Sequence, residues 1–238
     1  MKSLPLIIAH RGASRLVGQD NTITSFQRAI ELGVDMIEFD IRKTRDGRIV
    51  CFHDASIYGI PVSELTYTQL NEVSPVKVPT LYDVIELCKD KICLDVEIKE
   101  GGFEKEVVSA LTHSLSLSSF VIKSFDDAIV KEIYTIHREI TTGLLIREKN
   151  DAITTTDSLQ AIADRIRNCY ADFISPHKSW MIDEYFNFLP LANIPIYCWT
   201  VNDPSEILHL TKQRIHAIIT DCPDIAQDIF QRITDSKC

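Results

Sequence analysis

Eight short apolar runs, each followed by a longer amphipathic stretch, place this chain in the α/β class as a closed (β/α)8 TIM barrel. Its 238 residues are a common length for one such domain, and 45% apolar composition is enough to bury a large core. Eight β/α pairs in one chain of this size favour a closed barrel over an open sheet.

The strands are expected near 5–10, 34–40, 92–97, 119–123, 141–146, 172–175, 195–200 and 216–220. Helices are expected over 22–32, 81–89, 103–115, 126–136, 157–168, 180–189, 204–212 and 223–233. Asp126, Asp157 and Asp203 read as N-caps, whose carboxylates accept from orphan amides of the first turn. Pro204 and Pro223 suit first helical positions, while Gly33 and Gly143 punctuate the pattern. Phe186, Phe188 and Phe230 read as core, and Lys105-Glu106 and Arg138-Glu139 as solvated helix faces.

Residues 41–80 break the alternation. Asp46-Gly47 is a tight-turn signal flanked by extended sequence, so 48–53 is expected to fold back antiparallel over the second strand and carry His53 to the barrel mouth. The stretch 54–80, with Pro61, Pro75 and Pro79, reads as a small insertion within a single catalytic domain spanning 1–238.

A net charge of −9 argues against a nucleic-acid surface, which needs clustered Lys and Arg to neutralise phosphates. No run approaches the roughly 18 apolar residues of a membrane span. The opening apolar segment is too short for a signal-peptide core. Seven cysteines lack CxxC spacing; six are expected to act as small core residues in a reducing cytoplasm, with Cys238 terminal and exposed.

The chemistry gathers at the ends of the strands. His10 closes Leu6-Ile7-Ile8-Ala9, Glu38 and Asp40 lie in Met36-Ile37-Glu38-Phe39-Asp40, His53 closes Ile49-Val50-Cys51-Phe52, and Glu97 ends Leu94-Asp95-Val96-Glu97. Residues two apart on a strand share a face, so Glu38 and Asp40 present two carboxylates side by side. Unpaired carboxylates inside a sheet are costly, and a hard cation removes that cost. With Glu97 they make an oxygen-rich set suited to Mg²⁺ or Ca²⁺ rather than zinc, leaving the histidines free for proton transfer. Lys99, Trp199 and Asp221 fall at the same barrel end, where (β/α)8 active sites lie. His113, His137, His209 and His216 read as surface or capping residues; His177, after the sixth strand, is placed to line the pocket.

A series of short motifs then carries a resemblance: His10-Arg11-Gly12, Asn21-Thr22 with Ser25-Phe26 and Ala29, Glu38-Phe39-Asp40, Thr44-Arg45-Asp46-Gly47, His53-Asp54, Pro79-Thr80-Leu81, Glu97-Ile98-Lys99, Ser124-Phe125-Asp126, Trp199-Thr200-Val201-Asn202 and Thr220-Asp221. In this order, from residue 10 to about 224, the chain resembles the glycerophosphodiester phosphodiesterases. The resemblance implies a (β/α)8 barrel with an insertion after the second strand, and one divalent cation, Mg²⁺ or Ca²⁺. It implies metal ligands at Glu38, Asp40 and Glu97, an acid–base pair at His10 and His53, phosphate contacts at Arg11 and Lys99, and an aromatic pocket wall at Trp199. The expected reaction is hydrolysis of a small-molecule glycerophosphodiester to sn-glycerol 3-phosphate and an alcohol such as choline or ethanolamine. The alternatives are a lipid-directed phosphodiesterase, lysophospholipase D or phospholipase C-like, and a non-catalytic binding barrel. Nothing in the sequence sets the oligomeric state.

Overall fold

The computed structural model describes residues 4–148, 155–181 and 193–236. Its strands are β1 Leu6–His10, β2 Met36–Lys43, β3 Ile49–Cys51, β4 Ser56–Ile57, β5 Ile60–Pro61, β6 Cys93–Ile98, β7 Phe120–Ser124, β8 Thr142–Ile146, β9 Phe173–Pro176, β10 Tyr197–Cys198 and β11 Ala217–Thr220. Eight of them form a parallel sheet in the order β10-β11-β1-β2-β6-β7-β8-β9. Bridges Ile174↔Ile196 and His177↔Trp199 bring β9 back to β10, so the sheet is a nearly closed barrel.

The described helices are α1 Ser14–Val17, α2 Ile23–Leu32, α3 Tyr67–Val73, α4 Leu81–Cys88, α5 Glu104–Ser114, α6 Asp127–Ile136, α7 Thr155–Cys169, α8 Pro204–Lys212 and α9 Pro223–Asp235. Their starts follow local chemistry. Thr22 and Thr80 accept from the amides of Ser25 and Asp83 in reciprocal capping boxes, and Asp126 and Asp203 cap α6 and α8. Asp157 is not a cap, because α7 already begins at Thr155.

Side chains alternate between two cores. One face of each strand packs on the helices through residues such as Ile37, Phe39, Val96 and Ile122. The other fills the barrel with Ile8, Met36, Val121, Phe173, Ala217 and Ile219. Gly143 lies inside β8 rather than punctuating it; a Cβ there would meet Phe173 Cζ at 2.2 Å, so the glycine makes room for that ring. Gly33 does end α2, in the left-handed conformation.

The hairpin forms as the Asp46-Gly47 signal indicates: β3 pairs antiparallel with β2, Ile41 opposite Cys51 and Lys43 opposite Ile49. That pairing extends β2 three residues beyond the expected end at 40. The seventh strand is shorter than expected, since only Tyr197 and Cys198 hold ladder geometry. Residues 54–80 contain the small β4–β5 hairpin and α3, closed by Val62, Leu65, Leu70 and Val78 packed against Val50 of β3. Phe230 is buried. Phe186, Phe188, Cys238 and most of the helix expected at 180–189 lie outside the described residues. Cys51, Cys88, Cys169, Cys198 and Cys222 are buried free thiols, whereas Cys93 is half-buried.

Candidate active site

Above the apolar floor, the next inward positions of β2, β6 and β7 are charged. Register places Glu38 beside Asp95 and Asp40 beside Glu97, and Glu97 beside Lys123. Carboxylate oxygens of Glu38, Asp40 and Glu97 all lie within 4.8 Å of one another, and all three residues are buried. The Lys99 ammonium spans two of them, 2.8 Å from Asp40 Oδ1 and 2.5 Å from Glu97 Oε1. Apart from the Lys99 ammonium neither of those buried oxygens has a donor, so each keeps a lone pair open. Hard oxygen donors with open lone pairs fit Mg²⁺ or Ca²⁺, with Lys99 marking where positive charge is favoured.

Asp40 and Glu38 are held from behind. Asn21, itself in the left-handed region, donates Nδ2 to Asp40 Oδ2 at 2.8 Å and accepts from the Asp40 amide at 3.2 Å. The Arg11 amide donates to Glu38 Oε2 at 3.1 Å. The Arg11 guanidinium reaches Asp20 Oδ2 at 3.0 Å and Asp40 Oδ2 at 3.2 Å. Lys123, fully buried, lies 2.6 Å from Asp95 Oδ2 and 3.6 Å from Glu38 Oε1.

These contacts separate the carboxyl groups. Burial works against the charge of Asp40, but Lys99 and Arg11 outweigh it and hold the group well below its usual range. Burial and the neighbouring Asp40 charge push Glu97 up to about 7, and burial pushes Asp95 up to about 6 despite Lys123. A bound cation would favour the ionised form of Glu97.

The histidines flank the cluster. His10 Nδ1 lies 2.6 Å from Asp221 Oδ1, and its Nε2 is 3.9 Å from Glu38 Oε2. Burial lowers its pKa, but the Asp221 hydrogen bond and the Glu38 charge more than compensate. His53 Nδ1 lies 2.7 Å from Asp54 Oδ1, while Arg42 clamps the His53 carbonyl through Nε at 3.0 Å and Nη2 at 2.9 Å. Arg42 is in turn paired with Glu100.

His10, Arg11, Glu38, His53, Glu97, Lys99 and Trp199 all line one cavity of about 770 Å³ at the carboxyl ends of the strands. Asp40 sits beneath it, 1% exposed. Trp199 meets Phe125 edge-on with centroids 5.6 Å apart, and His177 stands beside Trp199 at 5.2 Å. His137 caps α6, and His216 Nδ1 accepts from the Ile196 amide at 3.1 Å. Lys123, Asp95 and Arg42 also belong to this cluster and are not among the residues expected from sequence. Strand parity could have found them, because each lies two residues from an inward-facing position: Val121, Glu97 and Asp40.

A comparison with family models matches residues 10–225 to the Glycerophosphoryl diester phosphodiesterase family. A glycerophosphodiester phosphodiesterase of Caldanaerobacter subterraneus is 27% identical over 248 residues, spanning 95% of this chain and 98% of its own. The crystal structure of a glycerophosphodiester phosphodiesterase from Parabacteroides distasonis superposes with a TM-score of 0.81 at 22% identity, covering 98% of this chain and all of that one. A phosphodiesterase from Oleispira antarctica, solved in complex with the product sn-glycerol-3-phosphate, gives 0.81 at 23% identity, covering 96% of this chain and 97% of that one.

Proposed function

Because the chain belongs to the glycerophosphoryl diester phosphodiesterase family, we propose that it hydrolyses glycerophosphodiesters to sn-glycerol 3-phosphate and an alcohol at the mouth of its barrel. The observation that carries this reading is the convergence of Glu38, Asp40 and Glu97 within 4.8 Å, beneath a cavity that His10, Arg11, His53 and Lys99 also line.

A phosphodiester resists attack because its anionic oxygens repel a nucleophile. A divalent cation on Glu38, Asp40 and Glu97, Mg²⁺ or Ca²⁺, supplies charge neutralisation there when bound. Arg11 and Lys99 add fixed positive charge, and the guanidinium fork suits phosphate oxygens. With Nδ1 of His10 held by Asp221 and Nδ1 of His53 held by Asp54, each imidazole offers its Nε2 to the substrate. One takes the proton of the attacking water, or of the glycerol 2-hydroxyl to give a cyclic phosphate that water then opens, and the other returns a proton to the alcohol as its bond to phosphorus breaks. Trp199 walls the pocket.

The same reading makes residues 1–238 a single catalytic domain with 54–80 as an insertion, acting on a small molecule rather than nucleic acid, in keeping with the charge of −9. The free thiols agree with a reducing cytoplasmic compartment. No described helix is long and apolar enough to cross a membrane. A phosphorus NMR assay of purified protein with glycerophosphoethanolamine tests the proposal: glycerol 3-phosphate should appear, and an unchanged substrate signal counts against it.

One observation favours a second, lipid-directed reading. Tyr58 and Ile60, 79% and 41% exposed, sit on the β4–β5 hairpin, beside a cavity of about 350 Å³ that shares Arg11, His53 and Asp54 with the main one. Faster turnover of lysophospholipid than of its deacylated diester would establish it.

A further inference from the structure

We infer that Arg147 reads the head group of the substrate, so that this chain favours diesters whose alcohol carries a carboxylate or another anion. The inference rests on the phosphodiesterase reading above and names the substrate class of that site. The same cavity is walled by three residues: Phe125 following β7, Arg147 following β8 and Trp199 following β10. Arg147 shares the inward parity of Gly143 and Leu145 on β8, which brings its side chain to the cavity.

The wall is anchored. Trp180 Nε1 donates to the Arg147 carbonyl at 2.7 Å, Arg165 Nη2 to the Phe125 carbonyl at 3.2 Å, and Trp199 Nε1 to the Ser175 carbonyl at 2.7 Å. The Arg147 guanidinium covers the Phe125 ring, 4.3 Å from its centroid, and Lys99 Nζ lies 6.0 Å from the same centroid.

An ammonium head group is recognised by an open aromatic face or by free carboxylates. Of the two rings in this wall, Phe125 has its face taken by the Arg147 cation. Of the nearby carboxylates, Asp127 is paired with Arg165 and Asp54 with His53, and Asp126 accepts the Ala128 amide through Oδ1. Among the described residues no carboxylate lies within ion-pair distance of Arg147, so its fork is available to a carboxylate on the ligand.

Serine and ethanolamine head groups differ by one carboxylate, which makes them the test pair. Wild-type protein should turn over glycerophosphoserine with kcat/KM about tenfold above glycerophosphoethanolamine, the scale of one charge-assisted contact. Arg147→Gln should bring the ratio to about one, chiefly through KM, and Arg147→Lys should retain part of it. A wild-type ratio near one, or a ratio unmoved by Arg147→Gln, overturns the inference. Calorimetric binding of O-phosphoserine and phosphoethanolamine makes the same comparison without turnover: about tenfold tighter O-phosphoserine in wild type, lost in Arg147→Gln. Equal affinities, or binding of neither, overturn it also. Failure of the phosphodiesterase reading looks different: no glycerol 3-phosphate from either diester while the binding preference persists.

Discussion

His10 and Asp221 meet across the junction of β1 and β11, Nδ1 to Oδ1 at 2.6 Å, while Asn202 donates to the other Asp221 oxygen at 2.6 Å. The pair fixes the imidazole ring and leaves Nε2 facing Glu38. On the proposed mechanism Asp221 sets which nitrogen of His10 serves the substrate, and its contact favours the protonated ring.

Asp221→Asn should destabilise the protein in a pH-dependent way. Burial alone would lower the His10 pKa, but Asp221 and Glu38 raise it above 6.5. A raised value means the stabilisation is fully present below pH 6.5 and is lost as pH climbs through the folded-state pKa. Asp221 itself is held low by His10 and Asn202 in spite of burial, so it remains ionised through that window. Denaturant melts of Asp221→Asn should show a loss of about 1–3 kcal/mol near pH 5.5 and a smaller loss near pH 9. An equal loss at both would remove the charged pair from the account.

His10→Ala and His53→Ala should each lower kcat by about 10²–10⁴ while metal affinity stays near wild type, because on the proposed mechanism each supplies proton transfer rather than a ligand. Kinetics paired with metal titration decides this. Wild-type turnover in either variant would remove that residue from the chemistry.

Binding of a cation to the native carboxylate cluster should raise stability by about 2.7 kcal/mol at a hundredfold excess over Kd. Thermal melts with Mg²⁺ or Ca²⁺ should show the rise in wild type and not in Asp40→Asn or Glu97→Gln. A rise of equal size in both variants would place the ion elsewhere.

Gly143→Ala should cost about 1–3 kcal/mol, since its methyl would overlap the Phe173 ring. Phe173→Leu made alongside should recover part of that cost, a coupling that a double-mutant cycle reads directly.

Legibility followed physical scale. Glu38 and Asp40 were visible because a two-residue period and an apolar frame act within five residues. The Asp46-Gly47 hairpin was visible for the same local reason. Lys123 was not: its partners Asp95 and Glu38 arrive from other strands, 28 and 85 positions away in the chain, and only the register of the sheet joins them. The four-residue α1 is too short to show periodicity, and β10 is limited by its few ladder contacts, which no composition records. Arg147 and Phe125 lie on successive barrel units, so their stacking emerges only on closure.

The release of glycerol 3-phosphate from glycerophosphoethanolamine by chelated protein, followed as Mg²⁺ or Ca²⁺ is added back, tests the central claim most directly. Wild type should be silent after chelation and recover with metal, and Glu38→Gln at the same metal concentration should release at least about a hundredfold less. Full release without metal, or equal release by Glu38→Gln, would contradict a metal-assisted phosphodiesterase built on these carboxylates.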